Sequence, residues 1–507
     1  MAGTHVPAVK SSAHHHYWAA ALFACGVAAA LAGYFATREP ASSEVTRPVL
    51  VVLPFHGAGA NSPDQTLLAE ELSRDVVTQL AHVEGLRVIA PVSAARAQAE
   101  KFDLKQLTAR LHVNRALEGS VRLADDRLLV ELRLSALPDG RTLWAQAYTR
   151  RRDEWYELQR QIAHALAETF DLHYAATAAP AVDARHLLDY LAARRRLASG
   201  DRARGMELLH TLIAAAPDLG AAKAMLARAS LADLRRDNVD ESQNAEVARL
   251  VQEALTSAPD AADAQTARAV LACRAAQWAA CFDAFRRAIA LDPVDTDARV
   301  TYAYWLAALG YVEQGLREAE TAWAADPLGY DANFARGRLL DTVGRHDEAK
   351  DFFDAATPPT AGLVYARWHN ALWRGDLPAA REYAAAMPQS DGFRESYLGI
   401  TEAFADPSRW AQVQPLIGTS ERATGRVNVL RIMLPNPDYP VEIEGLERML
   451  RNGWPSYYLL LWMPEYRALR ADPAFAVFLA RNGILDYWRA NGFPPGCAAR
   501  GGGVRCD

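Results

Sequence analysis

Apolar and polar positions follow three rhythms along this chain, and each change of rhythm marks a new part. The first is an unbroken run. Tyr17 to Ala36 is twenty residues without a charge, opened by Tyr17-Trp18 and closed by Thr37-Arg38-Glu39-Pro40. Twenty helical residues rise about 30 Å, the thickness of a hydrocarbon core, which predicts a transmembrane helix over 17–36. Lys10 and the amino terminus are unopposed by any acid before the run, which predicts a cytoplasmic tail at 1–16 and a linker at 37–46 on the far side. A cleaved leader cut at Ala30-Leu31-Ala32 is the competing expectation, and both export the bulk of the chain.

The second rhythm mixes periods. Pro48 to Phe55 reads as a buried strand, Leu67 to Leu80 has helical spacing, Leu86 to Ala90 is a second strand, and Leu104 to Leu111 is a short helix. Leu117 to Leu123 and Leu128 to Leu134 alternate on either side of Ala124-Asp125-Asp126, then Pro138-Asp139-Gly140 turns into Thr142 to Tyr148. Arg122, Glu131 and Arg133 fall on the polar face of that meander, with Glu118 and Arg122 expected as a structural pair or as sheet-surface residues, and Asp153 is expected to cap a helix running to about Phe170. A small α/β domain with a mixed sheet over 47–175 is predicted.

The third rhythm is helical and repeats. Pro259, Pro293 and Pro327 close Ala-Pro-Asp, Asp-Pro-Val and Asp-Pro-Leu at intervals of 34 residues. Twelve residues before each proline stand Val247, Cys281 and Gly315, and Ala269 and Ala303 stand twenty-four before the last two, so slim side chains recur where paired helices touch. The same frame places Gly337, Gly344, Ala349, Phe353 and Ala356 in the next unit; Gly200, Gly205, Leu209 and Pro217 fit a degenerate copy upstream, and Trp368, Trp373, Gly375, Ala380 and Tyr383 a weaker one downstream. A fixed period with a helix-stopping proline predicts an all-α helical solenoid over 184–390, followed by a helical cap and tail over 391–507. The fold class expected is α+β overall: transmembrane helix, mixed-sheet domain, then solenoid.

These repeat residues resemble tetratricopeptide repeats. The segment before them resembles the TolB amino-terminal-like domain, in Val52-Leu53-Pro54-Phe55, Leu68-Ala69-Glu70-Glu71-Leu72, Leu86-Arg87-Val88-Ile89-Ala90, Leu117-Glu118-Gly119-Ser120-Val121-Arg122 and Gly140-Arg141-Thr142-Leu143-Trp144. That pairing is similar to the exported part of ToxR/CadC-type membrane-anchored winged-helix regulators and of some adenylate cyclases, whose close is also matched by Met463-Pro464-Glu465-Tyr466-Arg467, Asp472-Pro473-Ala474-Phe475 and Asp486-Tyr487-Trp488-Arg489. Sixteen residues before the span are too few for a winged helix or a cyclase domain, so neither DNA binding nor cyclase activity is expected.

Charge narrows the partners. A formal net charge of −6 supplies no global basic field for nucleic acid. The runs Arg150-Arg151-Arg152 and Arg194-Arg195-Arg196 read as solvated helix faces. Cys273 with Cys281 and Cys497 with Cys506 are local pairs, either disulfides in an oxidising compartment or buried thiols. His56-Gly57-Ala58-Gly59-Ala60-Asn61-Ser62 lacks the third glycine of a dinucleotide loop, and His14-His15-His16 lacks a fourth ligand. No Walker, His-Glu-x-x-His or Gly-x-Ser-x-Gly motif occurs, so no catalytic residue, cofactor, metal or small-molecule substrate is expected.

What remains is a binding surface. In tetratricopeptide repeats the first helix of each unit lines the concave side, and the resemblance implies that Asp263, Thr266, Arg274, Asp297, Tyr304, Asp331, Phe334, Arg338 and Asp341 line it. Aromatic anchors among charges suit a protein or peptide segment. The expected function is a non-enzymatic scaffold or sensor anchored in the bacterial inner membrane with its bulk in the periplasm. The alternative is a signalling component acting through a partner.

Overall fold

A computed structural model describes residues 47–507 apart from 60–61, 177–181, 232–240, 388, 390–392, 425–428, 436, 452–454, 502 and 507. The span expected at 17–36, the linker and His14 to His16 lie outside the described residues. Among those described, no helix is long and apolar enough to cross a membrane.

The first part is a mixed sheet in the order β3-β1-β4-β5-β6, made of β1 (Val49–Val52), β3 (Arg87–Val88), β4 (Arg115–Ala124), β5 (Arg127–Ala136) and β6 (Thr142–Arg151), with β2 (His56–Gly57) beside β4. β1 runs parallel to β3 and β4, and β4-β5-β6 is the antiparallel meander that the alternating pattern predicts. Helices α1 (Pro63–Leu80) and α4 (Trp155–Thr169) bury Leu68, Leu72, Val76, Leu158 and Ile162 against Leu117, Val130 and Leu132. On the other side α2 (Pro91–Ala99) and α3 (Leu104–Leu111) close over Val51, Ile89 and Ala116. Two local expectations are corrected. Glu118 and Arg122 are sheet-surface residues but not a pair: Glu118 binds Arg133 directly across the hairpin at 2.5 Å, because register sets those two opposite each other. Asp153 sits in a 3-10 turn and binds Arg151, while Glu154 accepts the Arg151 backbone N–H ahead of α4.

Helical hairpins follow: α5 (Ala184–Ala198) with α6 (Arg202–Ala215), α7 (Gly220–Ser230) with α8 (Glu241–Ser257), α9 (Ala262–Arg274) with α10 (Trp278–Leu291), α11 (Thr296–Ala308) with α12 (Val312–Ala325), α13 (Tyr330–Thr342) with α14 (His346–Ala355), and α15 (Ala361–Trp373) with α16 (Leu377–Ala386). The pairing continues into α17 (Phe393–Ala405) and α18 (Trp410–Thr424). The slim positions behave as their spacing demands. A Cβ on Gly315 would stand 2.6 Å from the Ala303 carbonyl oxygen, inside any tolerable contact. Gly344, at the turn between α13 and α14, has φ of +78°, which only glycine adopts without strain. Cys273 and Cys281 are disulfide-bonded within one hairpin, as are Cys497 and Cys506 across β7 (Cys497–Arg500) and β8 (Gly503–Cys506). Ala356 falls just past the end of α14, one position beyond the helix expected to hold it.

Both edges of the solenoid are covered. Arg194 on α5 binds Glu71 Oε2 at 2.5 Å and Asp75 Oδ1 at 2.7 Å, both on α1, and Asp75 Oδ2 accepts from Trp155 Nε1 and Gln159 Nε2. Arg194 is therefore a docking residue and not part of a solvated face, with buried Glu71 as its partner; Arg195 and Arg196 stay exposed as expected, Arg195 pairing at 3.1 Å with Glu70. Further along, the loop Asp326-Pro327-Leu328 meets the sheet domain. Ser93 Oγ donates to Asp326, Leu328 N–H donates back to Ser93 Oγ at 2.9 Å, and Arg96 Nη1 donates to the Leu328 carbonyl at 2.9 Å.

The opposite edge carries the carboxyl-terminal part, α19 (Tyr439–Arg451), α20 (Arg467–Ala471), α21 (Pro473–Arg481) and α22 (Ile484–Asn491). Trp278 Nε1 donates to the Asn482 carbonyl at 2.9 Å, Trp488 Nε1 to Leu309 at 3.0 Å, and the Tyr311 hydroxyl to Gly492 at 2.6 Å. Each indole or phenol buries its ring and spends its polar atom on a turn carbonyl. Replacing Gly315 with leucine forces α11 and α12 apart; we expect a loss of about 2 kcal/mol and a lower thermal midpoint by circular dichroism. An unchanged midpoint would show that this crossing is not close-packed.

Candidate functional site

The first helices of successive repeats carry a ladder of carboxylates. Asp263, Asp297 and Asp331 occupy the first turns of α9, α11 and α13, at the positive ends of those helix dipoles. Arg228 on α7 ties the lower rungs together. Its Nη1 lies 2.9 Å from Asp263 Oδ1, its Nη2 lies 2.9 Å from Asp295 Oδ1 and Asp297 Oδ2, and it also meets the second Asp295 oxygen. Asp295 simultaneously caps α11 by accepting the Ala298 N–H at 3.0 Å.

Burial works against the Arg228 charge, but Asp295, Asp263 and Asp297 outweigh it and hold the guanidinium protonated well above its ordinary range. Asp292 beside them is pushed up to about 7, first by burial and then by the Asp295 charge, and its Oδ1 is buried without a hydrogen-bond partner. One guanidinium thus faces three carboxylates. Asp297 keeps 64% and Asp263 30% of its side chain accessible, so the surplus negative charge is presented outward.

Beside the ladder, Tyr330 stacks on Phe334 with centroids 5.6 Å apart, and Phe334 in turn meets Phe353 at 6.3 Å. Tyr304 is half-buried with its hydroxyl enclosed and lacking a partner, and burial raises its pKa. Arg274, at the far end of α9, donates to Asn244 Oδ1 at 3.2 Å, and Thr266 is buried.

Arg338 and Asp341, expected on the open lining, are enclosed at 5% and 1% exposure. Their cover is the chain itself. The 3-10 segment Pro455–Trp462 packs on α11 and α13. Leu459 is fully buried in a cluster with Val300, Ala303, Ala307 and Leu340, and Trp462 Nε1 donates to the Ala308 carbonyl at 3.1 Å. The segment then reaches a polar centre that spacing alone does not reveal. His346 Nδ1 lies 2.7 Å from Asp341 Oδ1, and its Nε2 lies 3.0 Å from Glu465 Oε1. Asn370 Nδ2 donates to Asp341 at 2.8 Å.

Trp373 Nε1 donates to His369 Nε2 at 3.0 Å, so the His369 proton sits on Nδ1, 3.7 Å from Asp341 Oδ2. Burial keeps His369 below its ordinary pKa, hence neutral. His346 is the reverse case: burial opposes its charge, but the bonds to Asp341 and Glu465 prevail and raise it to about 9, while Asp341 falls to about 2. A carboxylate–imidazolium–carboxylate bridge thus fastens the carboxyl-terminal segment to the repeats. Its signal in the sequence is only the phrase Pro464-Glu465-Tyr466 and a lone His346.

No family model matches the chain. A putative adenylate cyclase 3 of Rhizobium meliloti (strain 1021) is 26% identical over 204 residues, covering 38% of this chain. The chain spans about a third of that curated relative's length, 35%. Among solved structures, it is similar to PilW, a widely conserved type IV pilus biogenesis factor, at 18% identity and a TM-score of 0.33 over 40% of this chain and 93% of that one. It is also similar to Pseudomonas aeruginosa pilF, at 16% and 0.31 over 39% and 91%. A tetratricopeptide repeat protein from Parabacteroides merdae ATCC 43184 gives 12% and 0.34 over 52% and 99%. Likeness at this level carries no argument; the helix pairing does.

Because the folded pKa of His346 lies above its ordinary 6.5, the bridge contributes fully below pH 6.5 and is lost as pH rises through about 9. The Asp341 contribution is complete above 3.8 and is lost as pH falls through about 2. We expect the thermal midpoint to fall between pH 6.5 and pH 9, by the equivalent of about 2 to 3 kcal/mol. His346→Gln should flatten that decline; an identical decline in the variant would remove His346 as its cause.

Proposed function

We propose that this chain is a non-enzymatic protein-interaction scaffold or sensor that takes a basic, extended segment of a partner protein on the inner face of its helical repeats. The observation that carries the reading is the acidic ladder: Asp263, Asp297 and Asp331 recur at one position of successive first helices, and the single charge of Arg228 is shared among Asp263, Asp295 and Asp297. Carboxylates repeated at the repeat spacing match a cationic strand of chain better than a compact small molecule. Tyr304 and Phe334 stand beside the ladder as aromatic anchors, whereas Arg274 is at the far end of α9 and Arg338 and Asp341 are enclosed.

In this reading residues 17–36 anchor the chain in the bacterial inner membrane with its bulk in the periplasm, where the Cys273–Cys281 and Cys497–Cys506 disulfides are stable. Residues 47–175 are a TolB amino-terminal-like domain, and the ensemble is similar to the exported part of ToxR/CadC-type regulators. A second reading, a signalling component working through a cytoplasmic partner, is favoured by Ala21, Cys25, Ala29 and Gly33, which are four apart within the proposed span.

Affinity pull-down with the full chain from envelope extracts should recover a partner protein that Asp297→Lys combined with Asp331→Lys loses and Glu313→Lys on the outer helix α12 keeps. Equal loss in both variants would remove the ladder from the account. Reporter fusions after residue 45 should be active on the periplasmic side only; cytoplasmic activity would exclude the envelope assignment.

A further inference from the structure

The sheet domain ends in a free edge. β6 is the last strand of the order β3-β1-β4-β5-β6, and among the described residues no strand lies beyond it. Ten residues long, it extends roughly 30 Å. Two contacts fix which of its backbone groups look outward. The Thr149 carbonyl accepts from Arg150 Nη1 at 2.8 Å, and the Arg151 N–H donates to Glu154 Oε2 at 2.8 Å. Outward-facing positions alternate in an antiparallel pair, so Ala145 and Ala147 also direct their N–H and C=O groups away from β5. Both alanines are exposed, with no bulk to keep a neighbouring strand away. Long exposed edges are normally guarded.

A groove of about 700 Å³ runs between this edge and α4. Its strand wall is Gln146, Tyr148 and Arg150, and its helix wall includes Arg160, Gln161 and His164. Tyr148 retains only 7% exposure, yet its hydroxyl lacks a hydrogen-bond partner. Burial raises its pKa and keeps the phenol protonated, a donor in want of an acceptor. The direct hydrogen-bond acceptors of Arg150 are neutral, Gln161 Oε1 at 3.1 and 2.7 Å and the Thr149 carbonyl, while Glu157 on the helix wall lies near enough to feel its charge. The other basic side chains of the groove contact acids directly: Arg160 pairs with Glu157, and His164 lies 3.5 Å from Glu168.

We propose that the free edge of β6 takes up an extended, carboxylate-bearing peptide segment as an added strand, its acidic side chain lying in the groove against Arg150 and the Tyr148 hydroxyl. The main chain supplies affinity through Ala145 and Ala147, and the groove supplies the preference for acid. This surface is separate from the acidic ladder and selects the opposite charge.

The test uses the full chain and a ten-residue probe peptide of alternating valine and threonine with one central glutamate, beside its lysine counterpart. The glutamate peptide should slow amide hydrogen exchange at Ala145 and Ala147 and bind about tenfold tighter than the lysine peptide. Ala147→Pro removes an outward donor at an edge position where proline is tolerated, and should abolish binding with the melting curve unchanged. Arg150→Glu should reverse the charge preference. The proposal is overturned by absent protection at saturating peptide, by equal affinity for both peptides, or by a dimer in sedimentation that Ala147→Pro disperses.

Discussion

Everything on the solenoid rests on how closely paired helices approach one another. Gly315 leaves no space for a methyl group above the Ala303 carbonyl, and Gly337 presses as closely on the Phe353 ring. That proximity lets each first helix stand in register with the next, and register converts three aspartates scattered along the chain into one ladder. Bulk at the crossing would shift the helices and break the alignment on which Arg228 depends.

The repeats are also clamped along both edges by unlike chemistry. On the side of the sheet domain the contacts are ionic and main-chain: Arg194 with Glu71 and Asp75, and the Asp326-Pro327-Leu328 loop with Ser93 and Arg96. On the other side they are aromatic, with Trp278, Trp488 and Tyr311 seated on turn carbonyls. A buried ion pair is worth little beside an apolar replacement but costs several kcal/mol when one partner is removed. The Arg194 seam therefore fixes the orientation of the two parts more than it adds stability. The carboxyl-terminal segment packs on the first helices α11 and α13, while Asp263, Asp297 and the Tyr330–Phe334 stack keep part of their surface accessible.

Periodicity made the repeats legible. The prolines at 34-residue intervals, the slim positions and Gly344 each describe contacts between neighbours in sequence, which a one-dimensional pattern can carry. The alternating meander was legible for the same reason. What escaped were contacts across long separations: Arg194 with Glu71, 123 residues apart, and His346 with Glu465, 119 apart. Arg338 and Asp341 fit the lining pattern in spacing, yet both are enclosed, Asp341 by His346 and Asn370 with Glu465 returning onto His346, and no local signal announces that return. The run Arg150–Arg152 read as a helix face because charge runs usually are; it belongs to the edge strand and the turn after it.

The central claim is that the inner face of the repeats docks a protein segment. Photo-crosslinking in living cells tests it most directly, with a photoreactive phenylalanine analogue placed at 297 or 331 on the inner ladder and at 317 on the exposed face of α12. The account predicts a discrete protein adduct from the ladder positions and none from 317. Adducts from 317 alone, or no adduct at 297 or 331, would contradict it.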